Sequence, residues 1–123
     1  MAISYRKKAI LRTDSDVNQA VSHESRLLTV TATMGNGSLL VDDVEGAVAD
    51  AATVNGIIDD PKFDEGFYTV GEVHLVPVCF GYATANSDVI KFSDAEYGTE
   101  TLTVLESKNL RLQAADTDFS RTY

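Results

Sequence analysis

The sequence predicts a mainly β fold: a small β-barrel or sandwich-like domain with short helical segments and an extended N-terminal arm. Three observations predict it. About eight short runs of alternating or β-branched residues are separated by turn signals. The hydrophobic share of 44% and charged share of 24% over 123 residues suit one globular domain. Charge is divided along the chain: all 19 acidic residues follow position 12, whereas Arg6, Lys7, Lys8 and Arg12 precede the first of them.

Taken in order, residues 1–12 read as a basic arm. Ile3, Tyr5, Ala9, Ile10 and Leu11 give it more apolar content than a solvating tail needs, and Ile3 and Tyr5 alternate with polar neighbours as in a strand. The span 13–25 is open between two readings. Asp14 or Ser15 caps a short helix with Val17, Ala20 and Val21 on one face, or the segment is an extended loop.

Arg26 to Thr33 predicts a strand with Leu28, Val30 and Ala32 on one face. Gly35-Asn36-Gly37 predicts a tight turn, and Ser38 to Val41 resumes as its hairpin partner. Val44, Ala47, Val48 and Ala51 have helical spacing, and Gly46 limits that helix. Val54 to Ile58 is a strand stopped by Asp59-Asp60-Pro61, because proline fixes φ and removes a donor. Lys62 to Gly66 is a turn.

Phe67 to Val70 and Glu72 to Tyr82 follow as strands. In the second, Val73, Leu75, Pro77 and Cys79 share one face and His74, Val76, Val78 and Phe80 the other; from Val76 onward both faces are apolar, which predicts burial on both sides. Pro77 predicts an edge position or a bulge. Asp88 to Phe92, Glu100 to Leu105 and Leu110 to Gln113 complete the strands. The organisation is thus arm 1–12, β-rich domain 13–113 and C-terminal tail 114–123.

A domain of this size buries roughly two thirds of its unfolded surface and needs no metal or disulfide to fold. Its net charge of −9 and pI of about 4.4 disfavour nucleic acid and anionic membranes as partners. Cys79 is the single cysteine, so no intramolecular disulfide forms, and its apolar strand context predicts a core residue. No apolar segment follows the basic N-terminal residues as a secretory signal requires, and no run approaches the roughly 20 residues of a membrane span.

Catalytic chemistry is not expected. Nucleophilic catalysis needs a nucleophile beside an oriented base, and His23 and His74 are the only histidines. His23 lies in a polar stretch and is expected to be exposed; His74 is expected at the surface or satisfied by neighbours. One cysteine and two distant histidines do not make a zinc site. The acidic clusters Asp42-Asp43-Val44-Glu45 and Asp59-Asp60 with Asp64-Glu65 lack the spacing of a calcium loop. Gly35-Asn36-Gly37-Ser38 lacks the lysine and helix of a phosphate loop. No cofactor is expected. The arm admits two readings, a solubilising tail or a segment that becomes ordered on a partner by adding a strand to a sheet edge.

The stretch from Gly37 to Asp60, GSLLVDDVEGAVADAATVNGIIDD, resembles the head-decoration (cement) proteins of tailed bacteriophages. The resemblance rests on a strand and turn, a small-residue segment and a Val-x-Gly-Ile element, here Val54-Asn55-Gly56-Ile57-Ile58, and it covers about half the chain. The chain lacks the tryptophan of the best-known members and has a longer C-terminal region. The resemblance implies a non-enzymatic, cofactor-free virion protein, commonly trimeric. Such a protein binds the major capsid protein on the outer capsid surface and stabilises the head. It further implies that Ile3, Tyr5, Arg6, Lys7, Lys8 and Ile10 are the capsid-facing contacts. A tail or fibre component and a small-ligand or cation-binding β-barrel remain the alternatives.

Overall fold

The computed structural model describes residues 8–13 and 22–114. Over these residues the chain is mainly β, in two sheets, one of them a curled half-barrel. The smaller sheet holds β1 (Ile10–Thr13), β7 (Ala83–Asn86) and β8 (Leu110–Gln113) in the order β1-β7-β8. The larger holds β2 (His23–Thr29), β3 (Leu39–Val41), β4 (Val44–Glu45), β5 (Gly56–Ile58) and β6 (Val73–Cys79) in the order β2-β6-β5-β3-β4. Two 3₁₀ turns, Val48–Thr53 and Pro61–Phe63, and one helix, α1 (Thr99–Ser107), complete the described elements.

All pairings between the named strands are antiparallel except β7 with β8, where Ala83 lies opposite Leu110 and Asn86 opposite Gln113. A parallel pair needs a long crossover, and α1 lies within it. The sequence reading placed a strand over Glu100 to Leu105, misled by the density of Thr and Val. In the structure Thr101 and Leu105, four residues apart, are both buried on one helical face. Tertiary packing there overrides β propensity.

Paired apolar residues let the larger sheet serve two cores. Leu39, Ile57 and Cys79 face one cluster together with Ile10, Val54, Ile90, Phe92, Leu105 and Leu110. Their neighbours Leu40, Ile58 and Val78 face the second, with Leu28, Met34 and Val76 inside the curl. Period-2 alternation puts successive side chains on opposite faces, so Leu39-Leu40 and Ile57-Ile58 each bind both layers. Of the burial predicted on both faces from Val76 onward, Val76, Val78 and Cys79 are buried, whereas Pro77 is exposed and Phe80 only partly buried; Cys79 is a buried core residue as expected.

Other expectations are corrected. Ser38 to Val41 does not form a hairpin with the strand before it; β3 pairs with β4 and β5, while β2 pairs with β6. Gly37 accounts for part of this. Its φ is +99° and an added Cβ would stand 2.6 Å from the Val89 carbonyl oxygen, so the chain is drawn onto the 89–91 segment instead of folding back. Phe67 to Val70 is a turn region, and Asp88 to Phe92 contributes only isolated bridges.

Pro77 lies inside β6, which is flanked by β2 and β5. Its carbonyl accepts from Asp59 N at 3.1 Å, so the missing donor would also point at Asp59, beyond the last β5 residue. Proline thus forgoes only the bond to the Asp59 carbonyl, past the named β5–β6 pairs, and the expected edge position or bulge is not found. The ambiguous span 13–25 lies mostly outside the described residues, as does the 114–123 tail beyond Ala114.

Candidate functional site

The arm ends earlier than its charge pattern suggested. Ala9 is fully buried and Ile10 is only 8% exposed, in the same core as Leu105 and Leu110. Ile10 pairs with Ala85, and Asn86 fixes the preceding chain by donating from Nδ2 to the Lys8 carbonyl at 2.9 Å. Ile10 is therefore a core residue and not a capsid-facing contact; residues 9–12 belong to the body. Its apolar side chain gains more from the core than from solvent. Lys8 is exposed. Ile3, Tyr5, Arg6 and Lys7 lie outside the described residues.

The surface that stands out was not singled out in the sequence. On the outer face of β2 and β6, Leu27 lies directly opposite Leu75, and Thr29 opposite Val73. Leu27, Leu75 and Val73 are 62%, 61% and 59% exposed. Exposed apolar side chains grouped this way mark interaction surfaces. The alternation of β6 places Val73 and Leu75 on one face, but only the register with β2 brings Leu27 beside them.

Among the described residues β2 is also an edge strand. Ser22 O accepts from Phe80 N at 2.8 Å, and Val30 N donates to Glu72 O at 2.9 Å. Even-numbered positions thus turn their backbone groups to β6. Alternation then turns those of His23, Ser25, Leu27 and Thr29 to the open edge.

That edge borders a seam. The half-barrel's other edge strand is β4, and among the described residues no ladder joins it to β2. Side chains bridge the gap. Arg26 donates to Asp42 O at 2.8 Å, to Asn55 Oδ1 at 3.0 Å and to Asn55 O at 3.0 Å, and it pairs with Glu24 at 2.5 Å. Asn55 in turn accepts from Asp42 N at 2.9 Å and donates to Asp42 Oδ1 at 2.7 Å. This holds Asp42 at φ +55° in the β3–β4 turn. Further along, Thr31 and Thr33 both donate to Glu45 Oε1, at 2.6 and 2.7 Å. Between the walls runs a groove of about 700 Å³ lined by Glu24, Ser25, Arg26, Leu27, Asp42, Asp43, Asn55 and Leu75.

The remaining polar groups serve the fold. His23, expected to be exposed, is largely enclosed between Ser22 Oγ at 2.9 Å and Asp59 Oδ2 at 2.8 Å. The order Ser-His-Asp resembles a nucleophile relay, but Ser22 is fully buried, so its hydroxyl offers a substrate no approach. Asp60 is buried and caps the Pro61–Phe63 turn by accepting from Lys62 N at 3.0 Å; it also accepts from the Tyr68 hydroxyl. His74 was expected at the surface or satisfied by neighbours; its ring lies tilted 4.8 Å from the Tyr68 ring and its Nε2 stands 3.5 Å from Glu72 Oε1, buried without a hydrogen-bond partner among the described residues.

Among the described residues no group of three or more His, Cys, Asp or Glu is placed to hold a metal ion, and no helix is long and apolar enough to cross a membrane. Comparison with protein-family models, curated proteins and solved structures gives no match to this chain.

Proposed function

We propose that this protein is a non-enzymatic capsid decoration protein of a tailed bacteriophage, which binds the outer surface of the major capsid protein lattice and stabilises the head. The observation that carries the reading is the exposed Leu27–Leu75 pair, extended by Val73, on a sheet whose other face is packed into a core. It joins the resemblance carried by Gly37 to Asp60. An apolar face on a chain of net charge −9 fits attachment to a protein surface better than to a phosphate backbone or an anionic bilayer.

With Ile10 in the core, the capsid contact moves from the arm to this face.

The test adds purified protein to capsids that lack it and images the shell. Added density at regular outer-surface positions is expected, with loss of that density for Val73→Asp. Capsids that stay bare, or a Val73→Asp protein that decorates them as fully as the unaltered one, would remove the proposal.

A further inference from the structure

We propose that the groove beside β2 receives the N-terminal segment of a second copy of this chain, so that neighbouring copies exchange arms. Three features of the groove define its occupant. First, it runs along an open strand edge, where His23, Ser25, Leu27 and Thr29 turn backbone donors and acceptors outward; an extended segment satisfies them by adding a strand. Second, Leu27 and Leu75 form one apolar wall. Third, the opposite wall is acidic. Asp42 and Asp43 stand there, and Glu24 closes the β2 side.

The one basic group in the groove is already occupied. The Arg26 guanidinium is held by Glu24, the Asp42 carbonyl and both carbonyl oxygens of Asn55. Asp43 is exposed and makes no hydrogen bond or ion pair among the described residues. The site therefore calls for an extended, cationic segment with alternating apolar residues.

The chain's own N-terminus has that composition. Residues 2–8, AISYRKK, place Ile3 and Tyr5 two apart and end in Arg6, Lys7 and Lys8. Seven residues span about 23 Å when extended, the length of the seven-residue β2. Lys8 is exposed, so the segment leaves the body at its surface. Donor segment and receiving groove are different surfaces, so the contact is heterologous and closes into a ring when the rotation permits. Basic arms laid across acidic bodies also offset the mutual repulsion of copies that each carry −9.

The experiment is a native mass measurement of the full chain in solution, without capsids. The unaltered protein is expected at a multiple of the single-chain mass, falling towards one chain as salt is raised. Deleting residues 2–7 removes the donor; Asp43→Lys reverses the receiving wall. Each variant is expected at single-chain mass with an unchanged melting temperature, and Asp43→Asn at an intermediate degree of association. The two single-chain variants mixed together should form a two-chain complex, because one keeps the groove and the other keeps the arm. A single-chain mass for the unaltered protein, a full-mass assembly of either variant, or no complex in the mixture would overturn the proposal. Arms folded onto their own bodies would give the first of these results. Because no capsid is present, failure here leaves the attachment proposal standing, and failure of attachment leaves this one standing; an arm in the groove covers Leu27 and Leu75, so in the arm-exchanged form Val73 carries the capsid contact.

Discussion

Arg26 donates to Asn55 twice, to the side-chain carbonyl and to the main-chain carbonyl, each at 3.0 Å, although 29 residues separate them. The pair closes a barrel seam that no strand ladder crosses. Arg26 lies on β2 and Asn55 immediately before β5, and the same guanidinium reaches Asp42 in the β3–β4 turn. One planar group with several fixed donors thus binds three parts of the curled sheet.

Arg26→Met is expected to destabilise the protein by about 2–3 kcal/mol, because it leaves the carbonyls of Asp42 and Asn55 without their donor in a partly enclosed site. The Arg26 side chain is only 11% exposed, so water does not replace it freely. Arg26→Lys should recover little, since an ammonium cannot span both Asn55 oxygens and Asp42 in one geometry. Urea unfolding midpoints of the three proteins measure this; a lysine variant as stable as the unaltered protein would show that charge alone suffices.

Gly56→Ala is expected to destabilise by about 1–3 kcal/mol through overpacking. Gly56 does not have the positive φ that favours glycine, so its backbone would accept alanine. Space is the obstacle. A Cβ there would lie 2.6 Å from Val78 Cγ1 and 2.8 Å from Arg26 Nη1. Val78 is fully buried and Arg26 is pinned by its four contacts, so neither yields easily. If the groups did give way, the change would stabilise by about 0.4–1 kcal/mol through the unfolded chain. The sign of the shift in unfolding free energy decides between them.

This glycine shows where sequence and structure meet. The motif Val54-Asn55-Gly56-Ile57-Ile58 is legible as a strand from its β-branched Val54, Ile57 and Ile58 and the Asp59-Asp60-Pro61 stop after them. That Asn55 clamps a turn and Gly56 makes room for an arginine is not legible, since both depend on residues distant in the chain. The apolar content of Ala9 to Leu11 was visible, and cutting the arm at 12 followed charge where hydropathy carried the answer. The helix α1 was hidden by its Thr and Val content, although the spacing of Thr101 and Leu105 was available. The Leu27–Leu75 surface needed the β2–β6 register, which period-2 patterning on single strands does not supply.

Alkaline pH should expose the two raised acids. Burial is the main cause for Cys79, pushing its thiol from 9.0 up to about 11, with the nearby Asp59 charge adding to it and the Gly81 carbonyl contact opposing it. Burial also leads for Tyr68, pushed from 10.0 up to about 12, followed by its hydrogen bond to Asp60 and that carboxylate's charge. In both, the folded state holds the proton more tightly than the unfolded state. Their contribution is therefore complete below about pH 9 and is lost as pH rises through 9–11 for Cys79 and 10–12 for Tyr68. Unfolding free energies across pH 8–12 should fall with rising pH. Cys79→Ala should flatten the lower part of that fall and Tyr68→Phe the upper part. The difference between each variant's curve and the unaltered one is the quantity to read. A Cys79→Ala curve that runs parallel to the unaltered one from pH 9 to 11 would show that burial of this thiol does not govern its protonation. In the same folded protein at pH 8, Cys79 should resist an alkylating reagent and react only when urea opens the core, because the thiol is fully enclosed and only its thiolate attacks.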